Sequence, residues 1–537
     1  MERAAGEDLH GRHRFPGPRR RPRGPRAPHE HPSAPRRRRR PLRRRDPLGD
    51  RTGGELPALP AAHLQDGAHP SPLRARRLAG DDGDHPILDP RRDPRRRRSR
   101  ALLRRLPHRD RRRRAVKVLV LGAAVSGRAA LDLARRLGHL TAVYDRRSEA
   151  VAALVGHETH SGTWHPGLLR GVELVVTSPG FPETSEPIRD TLAAGIPLLS
   201  ELEFAARHLD APYLAVTGTN GKTTVVETAA AMLAAAGRRT VAAGNVGLAL
   251  SSVVGEPWDV VVVEASSFQL RFVDGFRPLA AGITNVAPDH LDLHPDLAAY
   301  RAAKARIFER MGPDDPVAYD VDDPGAATLV TDAPVRLVPV SGRRPLDDGV
   351  GVVEGRLDFG GRRVEASTTD PSFLVDLALA GALALEAGAG LDAVAEVAAA
   401  FEPGAHRRRL VAEIDGVRWV DDSKATNPHA AVAAARSFSS VILLAGGRNK
   451  GLDLTPLASI DSVRRIVAFG EAAAELAALD APVDPVADLE EAVARAAELA
   501  RPGDTVLLAP GCASFDAFPS YAARGARFAE LVEGRMR

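Results

Sequence analysis

The chain has 537 residues, 44% of them apolar and only 4% aromatic, so its cores must be built from Ala, Val and Leu. A single cysteine, Cys512, excludes a disulfide framework and a multi-cysteine metal site. The net charge of +5 joins two unlike parts: residues 1–114 carry 34 arginines against 14 acids, or +20, and residues 115–537 carry 40 bases against 55 acids, or −15. The length suggests three or four domains at about 150 residues each. No run reaches the roughly 18 apolar residues of a membrane span. The charged start is followed by no apolar core of a secretory signal. A cytoplasmic protein with no membrane partner is expected.

Residues 1–114 hold 17 prolines and arginine runs at 36–40, 95–98 and 111–114, with Phe15 the only aromatic residue. High charge and low hydrophobicity cannot offset ordering entropy, so a disordered extension is expected. No Met lies between Met1 and Met232. The segment therefore reads first as a mis-called start upstream of a non-Met codon near Val116, second as a solvated tail, and third as a nucleic-acid arm. Without interleaved aromatics no nucleic-acid partner is expected.

From Val116 the pattern changes. VKVLVLG (116–122) predicts a buried parallel strand ending in a glycine turn, 128–137 a helix, and TAVYD (141–145) and LVVTSPG (174–180) further strands. A second block opens with YLAVTGTNGKTT (213–224) and runs through TVAAGN (240–245), DVVVVEASS (259–267) and AAGITNVAPDH (280–290). A third holds VRWVDDSKATN (417–427), SVILLAGG (440–447), RIVAFG (465–470) and DTVLLAPGCASFD (504–516). This predicts three α/β domains, 115–208, 209–402 and 403–537, with functional residues at the carboxyl ends of strands.

The chain contains five lysines: Lys117, Lys222, Lys304, Lys424 and Lys450. All but Lys117 sit in or beside polar motifs. In VTGTNGKTT (216–224), between a strand and a helix, successive backbone N–H groups can cradle phosphate oxygens at the helix N-terminus. Lys222 can reach the outer phosphates and Thr223 can ligate Mg²⁺. Val216 stands where the strict G-x-x-x-x-G-K-[ST] pattern has its first glycine. Glu264 ends a strand, where it could hold Mg²⁺ or merely face solvent. His290 reads equally as a metal ligand or a hydrogen-bonded loop histidine.

TGTNGKTT, EASSFQL, NVAPDHLDLH with AYRAAKARIF, DDSKATNPHA, GGRNKG and GCASFDAF occur in that order. Together they resemble the Mur ligases, and the last three resemble the D-glutamate-adding branch. The resemblance covers about 116–537. It implies an ATP-dependent ligase of cytoplasmic peptidoglycan precursor synthesis, active as a monomer. The carboxylate of UDP-N-acetylmuramoyl-L-alanine would take the γ-phosphoryl of ATP, and the amine of D-glutamate would attack the resulting acyl phosphate. It implies a Rossmann-like UDP-binding domain, a central P-loop-type ATPase domain and a Rossmann-like C-terminal domain.

By the same resemblance, Lys222, Glu264, His290 and Lys304 are the catalytic candidates. Gly218, Thr219, Asn220, Gly221, Lys222, Thr223 and Thr224 would hold ATP, with Arg407 (beside His406) and Asp422. Thr223 and Glu264 would hold one Mg²⁺ and His290 a second, with Lys304 a metal-site ligand if carbamylated. Ser126, Asp145, Arg146, Arg147, Ser178 and Asn245 would contact the UDP substrate. Lys424, Thr426, Lys450, Ser514 and Tyr521 would take D-glutamate, whose two carboxylates call for hydroxyl and ammonium donors. The turn GAAVSG (122–127) suits a diphosphate, and Asp145 could equally be a cap.

Ser372, Phe373 and Asp376 stand where the family usually carries a His-Asn pair and a further Asn contacting ATP, and Phe515 replaces a Leu. Other Mur-type and folate polyglutamate ligases share the phosphate loop. A nucleic-acid-binding protein would instead bind through 1–114 without ATP turnover. A pyridine-nucleotide dehydrogenase is disfavoured by Ala124 in the first glycine turn.

Overall fold

The computed structural model describes residues 114–536. The arginine-rich extension, with its readings as tail, arm or mis-called start, lies outside the described residues. No helix among the described residues is long and apolar enough to cross a membrane.

The first sheet holds β1 (Lys117–Leu121), β2 (Leu140–Asp145), β3 (Glu158–Ser161), β4 (Leu174–Thr177) and β5 (Leu198–Ser200). All pair in parallel, in the order 3-2-1-4-5, five strands of the doubly wound order 3-2-1-4-5-6. The expected first helix runs from Val125 to Arg136 and packs Ala130, Leu131, Leu133 and Ala134 inward.

The second sheet has nine strands: β6 (Tyr213–Thr217), β7 (Thr240–Gly244), β8 (Val260–Glu264), β9 (Ala280–Ile283), β10 (Pro316–Asp320), β11 (Arg336–Val340), β12 (Val350–Val353), β13 (Arg356–Phe359) and β14 (Arg363–Val364). Their order is 14-13-12-11-10-9-6-8-7. β8, VVVVE, is buried at every position, as a parallel strand covered on both faces must be. The chain runs from β6 to β7 and β8 on one side and to β9 on the other. A crevice therefore opens at the carboxyl end of β6. The last three strands form an antiparallel ribbon. Its first turn is Glu354–Gly355 with φ of 53° and 76°, matching strand twist.

The third sheet holds β15 (Arg409–Ile414), β16 (Val417–Asp421), β17 (Val441–Gly446), β18 (Val463–Phe469), β19 (Val483–Pro485) and β20 (Thr505–Gly511), ordered 15-16-20-17-18-19. β15 pairs antiparallel to β16 through an Asp415–Gly416 turn. Because β16, β20 and β17 are neighbours, the loops after them emerge side by side. These loops contain DSKAT (422–426), CASF (512–515) and GRNK (447–450).

Glu201, on the helix Glu201–Ala206 that leads into the second sheet, is fully buried. One carboxyl oxygen accepts from Ser251 N at 2.6 Å and the other has no partner. Burial pushes this acid up to about 7. The folded state therefore holds the proton longer than the unfolded chain. Stability falls as pH rises from the unfolded value toward 7 and stays reduced above it. Glu201→Gln removes the charge that burial penalises. At pH 8 it should stabilise the protein by on the order of 2–3 kcal/mol, and near pH 4 hardly at all. Chemical denaturation at both pH values checks this; an unchanged pH dependence in the variant would refute it.

Candidate functional site

The loop after β6 has a backbone that only glycine accommodates. Gly218 has φ of +151°, and a Cβ there would lie 1.8 Å from Thr284 Oγ1. Gly221 has φ of +84°, and a Cβ there would meet Asp376 Oδ1 at 2.5 Å. The loop is braced by β9's extension: Thr219 N donates to Asn285 O at 2.8 Å and Asn220 N to Asn285 Oδ1 at 2.9 Å. The helix Lys222–Ala235 starts directly from Gly221 with no side-chain cap, leaving its first N–H groups for a ligand.

Lys222 Nζ folds back on the loop, donating to Gly218 O at 3.0 Å and Thr219 O at 2.9 Å. Burial lowers its pKa, against the raising pull of Glu264 and Asp289. Thr223 Oγ1 donates to Glu264 Oε2 at 2.8 Å, and Asn245 Nδ2 donates to Glu264 Oε1 at 3.0 Å. Hard oxygen donors from Thr223 and Glu264 on one wall suit Mg²⁺. Asn245, expected on the UDP substrate, here supports Glu264. Thr224 Oγ1 is buried with no partner.

His290 adopts φ of 56° and sets its ring edge-on to Phe268, centroids 4.9 Å apart. Burial holds its pKa below the usual value, favouring the neutral imidazole that a metal requires. Lys304 is 1% exposed and donates to Gly218 O at 2.6 Å behind the loop. Burial, with Lys222's charge, pushes it well below 10.5. The uncharged amine so favoured is the form that carbamylation needs. Among the described residues no three His, Cys, Asp or Glu side chains form a ready metal cluster. The unmodified chain thus supplies the Thr223–Glu264 pair and His290 as separate donors.

A cavity of about 440 Å³ joins the second and third sheets' loops. From the second, Thr219, Asn220, Gly221, Lys222, Thr223, Asn245, Glu264 and His290 reach its wall. From the third come Arg407, Asp422, Lys424 and Thr426. Asp422 is pushed up to about 6 by burial, and Arg408 lies beside it, its Nε 3.8 Å away. His406 pairs with Asp421 at 2.6 Å beneath. Ser372, Phe373 and Asp376 also line the cavity, so the residues in the family's departed positions still face the same space. Burial raises Asp376 to about 8.

The D-glutamate candidates divide. Lys424 Nζ stands 3.8 Å from the Tyr521 ring centroid. Lys450 pairs instead with Asp289 of the second block at 2.5 Å. Ser514 is buried and does not line the cavity. The first-block candidates lie apart from this cavity. Asp145 accepts from Ala123 N and Arg147 N, both at 3.0 Å, so it caps the 122–127 turn. Burial alone would raise its pKa, but Arg147 and these N–H groups hold it below the usual range. Arg146 and Arg147 are exposed, Ser126 is half-buried in the first helical turn, and Ser178 Oγ is buried without a partner.

Four further residues, Asp289, Asn427, Arg408 and Arg524, act at the site without a sequence signal of their own. Asp289 takes both Lys450 and Asn427, whose Nδ2 donates at 2.9 Å. Asn427 also exchanges hydrogen bonds with Asn220 of the phosphate loop, at 3.0 and 3.3 Å. Arg408 joins Asp370 at 2.5 Å. Arg524, on the helix Tyr521–Gly534, is fully buried. It donates to Ser423 Oγ and O at 3.0 Å, Cys512 O at 3.2 Å and Gly446 O at 3.4 Å, tying the three adjacent loops of the third sheet. Asp289 stood in a quoted motif, but nothing local marks its cross-domain pairing. Arg524 is one arginine among many.

Comparison with known proteins places residues 216–345 on the family model described as Mur ligase middle domain, and 406–512 on that described as Mur ligase, glutamate ligase domain. The UDP-N-acetylmuramoylalanine–D-glutamate ligase of Frankia casuarinae is 44% identical over 453 residues, covering 78% of this chain and 94% of that protein. The protein of the same name from Myxococcus xanthus is 40% identical, covering 78% and 98%. Among solved structures, MurF from Acinetobacter baumannii superposes with a TM-score of 0.52 at 17% identity, covering 78% of this chain and 93% of that one. At that identity the likeness speaks for the fold alone.

Proposed function

The chain belongs to the Mur ligase family, and from that premise we propose that it joins D-glutamate to UDP-N-acetylmuramoyl-L-alanine at the expense of ATP. The observation that carries this reading is the single cavity shared by the phosphate loop and the loops of the third sheet. A carboxylate resists an amine until one oxygen becomes a leaving group, so the acid must first take the γ-phosphoryl. The residues present suit that order.

The free N–H groups at the start of the helix Lys222–Ala235, with Lys222, bind and orient the phosphates. Arg407, across the cavity, offsets charge developing on the transferred group. Thr223 and Glu264 would hold Mg²⁺, which neutralises phosphoryl charge when bound. His290 and a carbamylated Lys304 would serve a second such position near the reacting carboxylate. Lys424 and Thr426 face the cavity from the third sheet and would hold the incoming amino acid, with Ser514 and Tyr521 behind them. Gly122, Ser126, Asp145 and Ser178 would take the UDP end in the first sheet, with the domains divided near 209 and 403. The Asn220–Asn427 and Asp289–Lys450 contacts join the second and third blocks.

The test supplies ATP, Mg²⁺ and UDP-N-acetylmuramoyl-L-alanine with each candidate amino acid in turn and measures phosphate release. Release should require D-glutamate. Release with another amino acid alone, or with none, would overturn the reading.

A further inference from the structure

Arg271 follows the short helix Ser267–Leu270 at the carboxyl end of β8. Its side chain is 7% exposed. The guanidinium lies 5.4 Å from the ring centroids of both Phe268 and Phe272. Nη2 faces Phe181 O at 3.5 Å, and Nη1 is 3.8 Å from the Glu183 carboxylate, beyond hydrogen-bonding distance. Nε and Nη1 have no hydrogen-bond partner. A buried charged donor without an acceptor is costly, and such sites are normally completed by something.

The surroundings indicate what completes it. Phe181, on one side, lies against the glycine turn of the first sheet, its ring 3.3 Å from where a Cβ of Gly122 would be. Three residues before it, Ser178 Oγ is another buried group without a partner. Phe268 in turn packs T-shaped against His290, centroids 4.9 Å apart. Gln269 Nε2 is likewise unpartnered, its Oε1 being held by Ser266. Unpartnered polar groups thus occur beside the diphosphate turn at Ser178, on Arg271, and on Gln269, the neighbour of the residue that packs against His290.

We propose that Arg271 is a binding residue for the acceptor-rich middle of the UDP-linked substrate, the carbonyl oxygens between its diphosphate and its reacting carboxylate. This rests on the proposed function. A guanidinium between two aromatic rings presents its edge N–H groups to such oxygens while its faces stay covered.

The full-length chain carrying Arg271→Met, Arg271→Lys or Glu183→Ala tests this. Arg271→Met should raise KM for UDP-N-acetylmuramoyl-L-alanine by about tenfold or more, as expected for one lost charged contact. KM for ATP and D-glutamate should stay within about twofold. Calorimetry should show weakened binding of UDP-N-acetylmuramoyl-L-alanine and unchanged binding of UDP. Arg271→Lys should recover part of the loss, and Glu183→Ala should leave these constants unchanged. An unchanged substrate KM in Arg271→Met, equal loss for UDP alone, or the same effect from Glu183→Ala would overturn it. Normal D-glutamate-dependent turnover with an unaffected Arg271→Met would sink this inference alone. Absence of D-glutamate-dependent turnover in the parent would sink the proposed function, and calorimetry would still decide on Arg271.

Discussion

Lys222→Ala is expected to cut D-glutamate-dependent phosphate release by roughly a thousandfold, the scale of losing one preorganised charged donor at a developing anion. The side chain is held over the phosphate loop by two carbonyls, Gly218 O and Thr219 O, and faces the shared cavity. A polyanion arriving there would offer it stronger acceptors than those carbonyls. Alanine is an excellent helix former at the first position of Lys222–Ala235, so the fold should survive. Far-ultraviolet circular dichroism should match the parent. Lys222→Arg should fail as well, since a planar fork does not fit where a slim ammonium is wrapped by its own loop. Turnover of Lys222→Ala within about tenfold of the parent would remove this residue from the chemistry.

Arg524→Met is expected to destabilise the third block by about 3–5 kcal/mol, the range for breaking a buried charged network. Methionine keeps the apolar stem but strips every donor, stranding the carbonyls of Ser423, Gly446 and Cys512 in the interior. The midpoint of thermal unfolding should fall by roughly 10 °C. The same loss should loosen the loops that carry Lys424, Lys450 and Ser514 and raise KM for D-glutamate more than KM for ATP. A variant with parental stability and parental D-glutamate KM would show that the three loops hold themselves.

Much of the architecture was legible because its signals are local. Short, β-branched apolar runs such as VVVVE and VKVLVL, each followed by a polar or glycine-rich turn, read as covered parallel strands. The Asp415–Gly416 hairpin has a sequence signal as well, the Asp-Gly pair whose two residues take positive φ, but a lone pair is outweighed by the strand–helix alternation around it. The ribbon of β12 to β14 is illegible for a different reason: its strands are short and its alternation weak.

At the site, the phosphate loop was readable because glycine spacing, lysine and strand context all lie within nine residues. Asp289 was not, because what gives it meaning is Lys450, 161 residues away. Neither was Asp145's capping role separable from ligand binding, since both call for a carboxylate at a strand end. The positions of Asn245 and Lys450 show the same limit: sequence named the residues, while their nearest partners, Glu264 and Asp289, came from the fold.

The lone thiol has a practical consequence. Cys512 is 1% exposed, and burial pushes it up to about 12, so in the native protein a maleimide or disulfide reagent should find almost no thiolate to attack. Its carbonyl is one of those held by Arg524. Alkylation would therefore act as a stopwatch: each labelled molecule records one excursion in which the last block has come apart, with no engineered probe and no competing sulfhydryl in the background.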